Sequence, residues 1–267
     1  MLFFAVNAKG EDLRDVEYAR VGDVSLQLDA ALPGGERLAP AAILVHGGGW
    51  VRGDRRVNVA PLFQPLTEAG IAWFSISYRF ATGPLDFGAA VGDVEAAIRY
   101  VRHHAAEYRI DPNQIFLVGE SAGGHLAAMA ALGGAPGTAV KGVVALYAPT
   151  DLVALAKNSN FIPDGIRRQL NGSPFEKLIL ARLEQLSPVG LVRSGMPPFL
   201  FIHGMQDALV PFGQSQAMCE RMKAVGAACR LLPVEGAGHG IVRWEGNREM
   251  TEGYQREMVR WILGTDH

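Results

Sequence analysis

The sequence predicts an α/β protein: a mostly parallel central sheet with helices on both faces and an antiparallel hairpin at the N-terminal end. Three observations predict it. Short apolar runs of strand length alternate with segments of helical period along the chain. The run Ala41–Val45 is apolar throughout, as a strand covered on both faces is. The run Ile115-Phe116-Leu117-Val118 breaks directly into Gly119-Glu120-Ser121-Ala122-Gly123-Gly124 and restarts with helical composition.

Taken in order, Val16–Val21 and Val24–Ala31 flank Gly22-Asp23 and read as the hairpin. Ala41–His46 is the buried strand. Val57–Ala69 reads as a helix and Ile71–Tyr78 as the next strand, ending in Ser77-Tyr78-Arg79. Gly88–Tyr108 carries Val91, Val94, Ala97, Ile98 and Val101 at helical spacing. Gln114–Gly119 is a strand and Ala122–Leu132 a helix. Further strands fall at Val140–Tyr147, Phe199–His203 and Arg230–Val234, and further helices at Gln214–Val225 and Glu249–Leu263. No repeat, low-complexity tract or linker divides the chain, so a single domain over residues 1–267 is expected. Ala148–Pro198 is too long for an ordinary strand-to-helix connection. With turn residues at Asn158, Asn160, Pro163 and Asn171-Gly172-Ser173-Pro174 and a helical piece at Phe175–Gln185, it reads as a small insertion over the site, or as one crossover helix with long loops.

Composition narrows the function classes. Hydrophobic residues at 49% and charged ones at 19% describe a globular chain rather than a disordered one. Lys plus Arg (25) nearly balance Asp plus Glu (27), with no basic stripe or polybasic cluster, which argues against nucleic-acid and membrane partners. The first nine residues lack the charged start and apolar stretch of a secretory signal, so a cytoplasmic protein is expected. Cys219 and Cys229 have no metal-ligand spacing and are expected as two reduced thiols.

The chemistry is concentrated in four places. Gly-x-Ser-x-Gly between a strand and a helix puts Ser121 at the tip of a sharp turn, where side chains two residues away on either side would collide. Nine serines and 32 glycines would give about 0.13 such matches by chance, so the placement carries more weight than the pattern. Serine needs a base, and His239 sits in Gly236-Ala237-Gly238-His239-Gly240, a loop flexible enough to bend back to it. The other histidines serve worse. His103 and His104 lie on a helix, His125 packs one turn past Ser121, His203 ends a strand, and His267 is in the tail. Asp207, after the Phe199–His203 strand, is the carboxylate to orient the imidazole, and Asp151 is its competitor, read as a turn or helix cap. His46-Gly47-Gly48-Gly49-Trp50 follows the Ala41–Val45 strand. The amides of Gly48 and Gly49, with that of Ala122, are placed to hold a negative oxygen. His46 would orient this loop. Trp50 and Ile241 are candidates for lining the substrate pocket.

These residues, with Ser77-Tyr78-Arg79 and Asp111-Pro112-Asn113, resemble the α/β-hydrolase superfamily, nearest to the hormone-sensitive-lipase-like and acetyl- or feruloyl-esterase-like carboxylesterases. The resemblance spans nearly the whole chain. It implies an α/β-hydrolase fold with a minimal cap, since 45 residues precede His46 where lipase-like members carry a substantial one. It further implies a serine carboxylesterase acting on short-chain or aromatic acyl esters, acetyl or feruloyl esters of sugars among them, through an acyl-enzyme. The triad would be Ser121, Asp207 and His239, and no metal or organic cofactor is called for. Amide hydrolysis of the arylformamidase type uses the same parts and stays open. So does a non-catalytic binding protein on the same scaffold, although such a protein should lack a triad member.

Overall fold

The computed structural model describes residues 10–83, 86–158 and 176–265. Among them, eight strands form one sheet: β1 (Glu11–Val21), β2 (Val24–Leu32), β3 (Ala39–Val45), β4 (Ala72–Ile76), β5 (Ile110–Glu120), β6 (Gly142–Leu146), β7 (Phe199–Gly204) and β8 (Cys229–Val234). Their order across the sheet is β1-β2-β4-β3-β5-β6-β7-β8. β1 pairs antiparallel with β2, and β2 with β4; every other pairing is parallel. This is the α/β-hydrolase fold, as expected.

The period of two along each strand divides the core. Ala41, Ile43 and Val45 of β3 face one side of the sheet, and Ala42 and Leu44 the other. Ile115 and Leu117 of β5 oppose Phe116 and Val118 in the same way, and Phe199 and Phe201 of β7 oppose Leu200 and Ile202. Strands buried on both faces must be apolar at every position, which is why these runs were legible. The first face is covered by α2 (Gly88–His103), α3 (Ala122–Gly133) and α6 (Gly213–Ala224); the second by α1 (Phe63–Glu68) and α7 (Arg248–Leu263). Each fully buried Leu, Ile or Phe contributes about 1.5–3 kcal/mol by leaving water.

The described residues of the insertion form α4 (Leu152–Asn158), α5 (Glu176–Gln185) and a 3-10 turn, Pro188–Leu191. The turn residues expected at Asn160, Pro163 and Asn171–Pro174 lie outside the described residues, as does Phe175, the expected first residue of that helix. Asp151 accepts the amide of Ala154 at 2.8 Å and so caps α4, the structural role expected of it.

Two expectations are corrected. The helix expected over Val57–Ala69 reduces to a 3-10 turn, Ala60–Leu62, followed by the six residues of α1. Pro61 and Pro65 are the cause. Proline is tolerated only in a first turn, and a continuous helix would drive the Pro65 ring into the carbonyl four residues earlier. The two thiols are not free: Cys219 on α6 and Cys229 at the start of β8 form a disulfide, their Cα atoms 5.5 Å apart. No helix among the described residues is long and apolar enough to cross a membrane.

Candidate active site

Strand β5 ends at Glu120, and Ser121 adopts φ 53° and ψ −121° before α3 begins. The turn is held by the amide of Ser121, which donates to Leu146 O at 2.9 Å, and by His125 N, which donates to Ser121 O at 3.1 Å. Gly123 is needed for the close approach: a Cβ there would lie 2.0 Å from the carbonyl oxygen of Val45 on β3. The left-handed backbone at Ser121 costs strain, which the packed sheet on either side overrides.

Three side chains named from sequence meet here. Ser121 Oγ lies 2.9 Å from His239 Nε2, and His239 Nδ1 lies 2.7 Å from Asp207 Oδ2. A carboxylate can only accept, so Nδ1 carries the proton and Nε2 is free to accept from the serine. Asp207 Oδ1 accepts the amides of Leu209 (2.9 Å) and Val210 (2.8 Å). Burial works to raise the Asp207 pKa, but hydrogen bonds from His203 and His239 and the Val210 amide outweigh it and hold the carboxyl well below the usual range. His203 is fixed in turn: its Nε2 donates to Val210 O at 2.9 Å, and its Nδ1 accepts from Ser215 Oγ at 2.7 Å.

The loop after β3 lies beside the serine. Gly48, with φ 116°, could not carry a side chain, since a Cβ would lie 2.0 Å from Arg52 O. Among the described residues, no hydrogen bond engages the amides of Gly48, Gly49 or Ala122, which leaves three N–H donors beside Ser121. Gly47 differs: its amide donates to Glu120 Oε1 at 2.5 Å. Tyr78 explains the Ser77-Tyr78-Arg79 stretch. Its ring stacks on His46 with centroids 4.4 Å apart, and its hydroxyl donates to His46 O at 2.9 Å. His46 Nδ1 donates to Gly47 O at 2.7 Å, and burial pushes its pKa down, so it is a neutral brace for the loop as expected. Arg79 grips the buried Asp93 of α2. Farther along the same loop, Arg55 and Arg56 are engaged by Asp15 and the fully buried Asp29 of β2.

Trp50 and Ile241 both reach the cavity wall, with most of their surface buried. The Trp50 ring stacks on Phe87 at 4.5 Å, and its Nε1–H donates to His125 Nδ1 at 3.0 Å. Because indole nitrogen only donates, His125 must present a bare Nδ1 and donate through Nε2, which meets Leu186 O at 2.8 Å. His125, fully buried and with its pKa lowered to about 4, thus links the loop after β3, the helix α3 and the insertion.

Two functional neighbours were not singled out from sequence, Glu120 and Tyr147. Glu120 is buried, and its carboxylate accepts both the Gly47 amide and the Tyr147 hydroxyl. Burial pushes its pKa up against those two donors and the charge of His239. The Tyr147 oxygen accepts the amide of Ile241 at 2.9 Å, and its ring packs edge-on against His239 at 4.7 Å. The only local signal was position, one residue before the serine for Glu120 and the end of the next strand for Tyr147.

All of this opens into a cavity of 870 Å³ lined by Ser121, His239, Gly48, Gly49 and Ala122 among others. No described residue of α4, α5 or the turn after them lines it. A hydroxyl hydrogen-bonded to an imidazole, with N–H donors lining the same cavity, can add to a carbonyl carbon and stabilise the resulting oxyanion.

Comparison with known proteins agrees with this chemistry. The BD-FAE family model matches residues 28–222. Esterase LipQ of Mycobacterium tuberculosis is 32% identical over 203 residues, covering 72% of this chain and 48% of its own length. The chain thus spans about half the length of the curated relatives it matches. A truncated carbohydrate esterase from gut microbiota superposes with a TM-score of 0.79 at 28% identity, over 97% of this chain and 98% of that one. The propionate-bound form of a thermophilic esterase from Thermogutta terrifontis gives 0.75 at 27% identity, over 96% and 95%.

Proposed function

The chain belongs to the BD-FAE family of α/β-hydrolase esterases, and from that premise we propose that it is a serine carboxylesterase releasing short or aromatic acyl groups from alcohols, acylated carbohydrates among them. The observation that carries the reading is the relay from Ser121 through His239 to Asp207, with idle amides at its open end. Ser121 Oγ attacks the ester carbonyl carbon while His239 Nε2 takes its proton, and Asp207 holds the imidazolium by its Nδ1–H. The amides of Gly48, Gly49 and Ala122 hold the oxyanion. The tetrahedral adduct collapses as His239 returns the proton to the leaving alcohol, leaving acyl-Ser121. Water, deprotonated by the same histidine, then releases the acid. Every proton and electron pair is accounted for by these side chains and water.

The substrate part rests on two supports. The cavity is open, and no described residue of α4, α5 or the Pro188–Leu191 turn lines it, which suits a small acyl group on a bulky alcohol better than a long lipid chain. The similar structures include one described as a carbohydrate esterase and one holding propionate, a short acyl product. Ile241 and the edge of Trp50 supply apolar wall, and one domain carries the whole site. The cytoplasmic expectation loses its redox support, because a disulfide forms and persists in oxidising compartments.

Initial rates on p-nitrophenyl esters from acetate to laurate, for wild type and Ser121→Ala, test this. High rates on acetate that fall with chain length and vanish in the variant are expected, followed by activity on sugar acetates and feruloyl esters. Efficient laurate cleavage would remove the short-acyl assignment, and a fully active Ser121→Ala would remove the serine mechanism.

A further inference from the structure

The cavity wall has an uneven charge distribution that the ester chemistry does not use. Arg52, four residues past the middle glycine of the oxyanion loop, and Arg243, four residues past His239, both line it, and both are exposed. The turn at Ala60–Leu62, eight residues past Arg52, packs against the one at Ile241–Arg243, and both arginines line the one cavity. Asn58 lines the same cavity.

These groups differ from the other cations nearby. Arg55 and Arg56, only a few residues away, are engaged by Asp15 and Asp29. Arg52 and Arg243 have no ion pair or side-chain hydrogen bond among the described residues. The nearest acid in sequence to Arg52, Asp54, is turned to its own loop, where Oδ1 accepts the Arg56 amide at 2.7 Å. Asn58 Oδ1 accepts the Asp54 amide at 3.0 Å, so what Asn58 has left to offer is its NH₂ group. Glu120 is the acidic residue among the described lining, and it is buried with the Gly47 amide and Tyr147 hydroxyl already on it. Among the described residues the wall therefore presents donors and positive charge without a matching anion. Guanidinium is suited to bidentate pairing with planar oxyanions, and a concave site of one sign concentrates ligands of the other.

We propose that Arg52 and Arg243, assisted by Asn58, select esters that carry a carboxylate, which for a carbohydrate substrate means an acylated uronic acid. The inference rests on the esterase reading above and names its substrate class. The carboxylate sits away from the reacting bond, so the acyl transfer at Ser121 is unchanged; what the arginines supply is capture and orientation of the alcohol-bearing part.

The test compares acetate release from two substrates that differ at one carbon, an acetylated methyl glucoside and the matching acetylated methyl glucuronoside. An acetylated glucose 6-phosphate arm separates carboxylate selection from attraction to any anion. The quantity read is the ratio of kcat/KM between charged and neutral substrates, which cancels any general loss of activity in a variant. Wild type should favour the glucuronoside on the order of tenfold at low salt, and added NaCl should shrink that ratio by screening. Arg52→Gln and Arg243→Gln should each lower it, and Arg243→Glu should bring it near or below one. The salt titration on wild type stands even where a variant fails to fold. A wild-type ratio near one, or a ratio that persists in the double glutamine variant, overturns the proposal. Equal or greater preference for the phosphate overturns the uronic acid assignment. Activity on p-nitrophenyl acetate with no charge preference defeats this inference alone, whereas no activity on any ester defeats the esterase reading beneath it.

Discussion

Glu120 Oε1 accepts the backbone amide of Gly47 at 2.5 Å, so the residue preceding Ser121 holds the first glycine of the loop after β3. The same carboxylate accepts the Tyr147 hydroxyl, and Tyr147 in turn accepts the amide of Ile241. One buried acid thereby ties the turn at Ser121 and the loop after β3 to the histidine loop.

From this tie follows a prediction about catalysis rather than binding. Glu120→Ala leaves the Gly47 amide and the Tyr147 hydroxyl without their partner and frees the oxyanion loop to drift, and small misplacements of catalytic groups are costly. We expect kcat on p-nitrophenyl acetate to fall about 10- to 100-fold with KM within a few-fold of wild type. Glu120→Gln, which keeps one acceptor, should lose less. Tyr147→Phe should resemble the alanine variant, since it removes both the donor to Glu120 and the acceptor for Ile241. Steady-state kinetics of the three variants decide it, and an unchanged kcat in Glu120→Ala would separate this contact from the chemistry.

How much of this was legible in the sequence depends on the range of the interaction. Strands buried on both faces announce themselves through continuous apolar runs, and the triad through loops that must follow particular strands; both are local patterns. Glu120 meets a partner 73 residues away, and Tyr147 one 94 residues away, so neither had a local signature. The disulfide escaped for the same reason, because pairing depends on the crossing of α6 and β8 rather than on cysteine spacing. The shortened α1 is different: Pro61 and Pro65, both in the sequence, are local signals that a continuous helix cannot run through Val57–Ala69.

The His125 link gives a pH prediction with a definite sign. Its ordinary pKa is about 6.5, and burial lowers it to about 4 in the folded protein. Between these values the unfolded chain binds a proton that the folded one refuses, so stability falls as pH drops from about 6.5 to 4 and is fully retained above that window. The shift corresponds to about 3 kcal/mol. Melting temperature measured from pH 8 to pH 4 should show this slope in wild type. His125→Phe should be less stable at pH 8, because the hydrogen bonds from Trp50 Nε1–H and to Leu186 O are lost, and should have a visibly flatter slope. Parallel profiles would show that another group carries the acid sensitivity.

The Cys219–Cys229 bridge closes a loop with a sequence separation of 10 between α6 and β8. On the chain-entropy account a loop of that size contributes about 3 kcal/mol, or a melting shift of roughly 5–10 °C in a protein of this length. Dithiothreitol, or the double serine variant, should lower the melting temperature by that amount. Esterase activity at 25 °C should be nearly unchanged, because neither cysteine lines the cavity. Thiol titration of the native protein with Ellman's reagent checks the premise, with no reactive thiol expected before reduction.

Gly48 is where backbone geometry and chemistry coincide. Its φ of 116° is open to glycine and strained for any other residue, and a Cβ would lie 2.0 Å from the carbonyl oxygen of Arg52. Gly48→Ala must therefore move the loop, which carries the amides proposed to hold the oxyanion. Loss of one such donor costs about 10²–10³ in kcat in serine hydrolases. We expect a loss in that range with Ser121 still labelled, though more slowly, by a fluorophosphonate, since Ser121, His239 and Asp207 do not depend on the Gly48 side of the cavity for their mutual hydrogen bonds. Gly49→Ala should be milder in packing, because nothing lies within 4 Å of its Cβ position, yet it still strains a φ of 63°. If Gly48→Ala retained wild-type kcat, the oxyanion would have to be held elsewhere, and the amides of Gly49 and Ala122 would be the ones to examine.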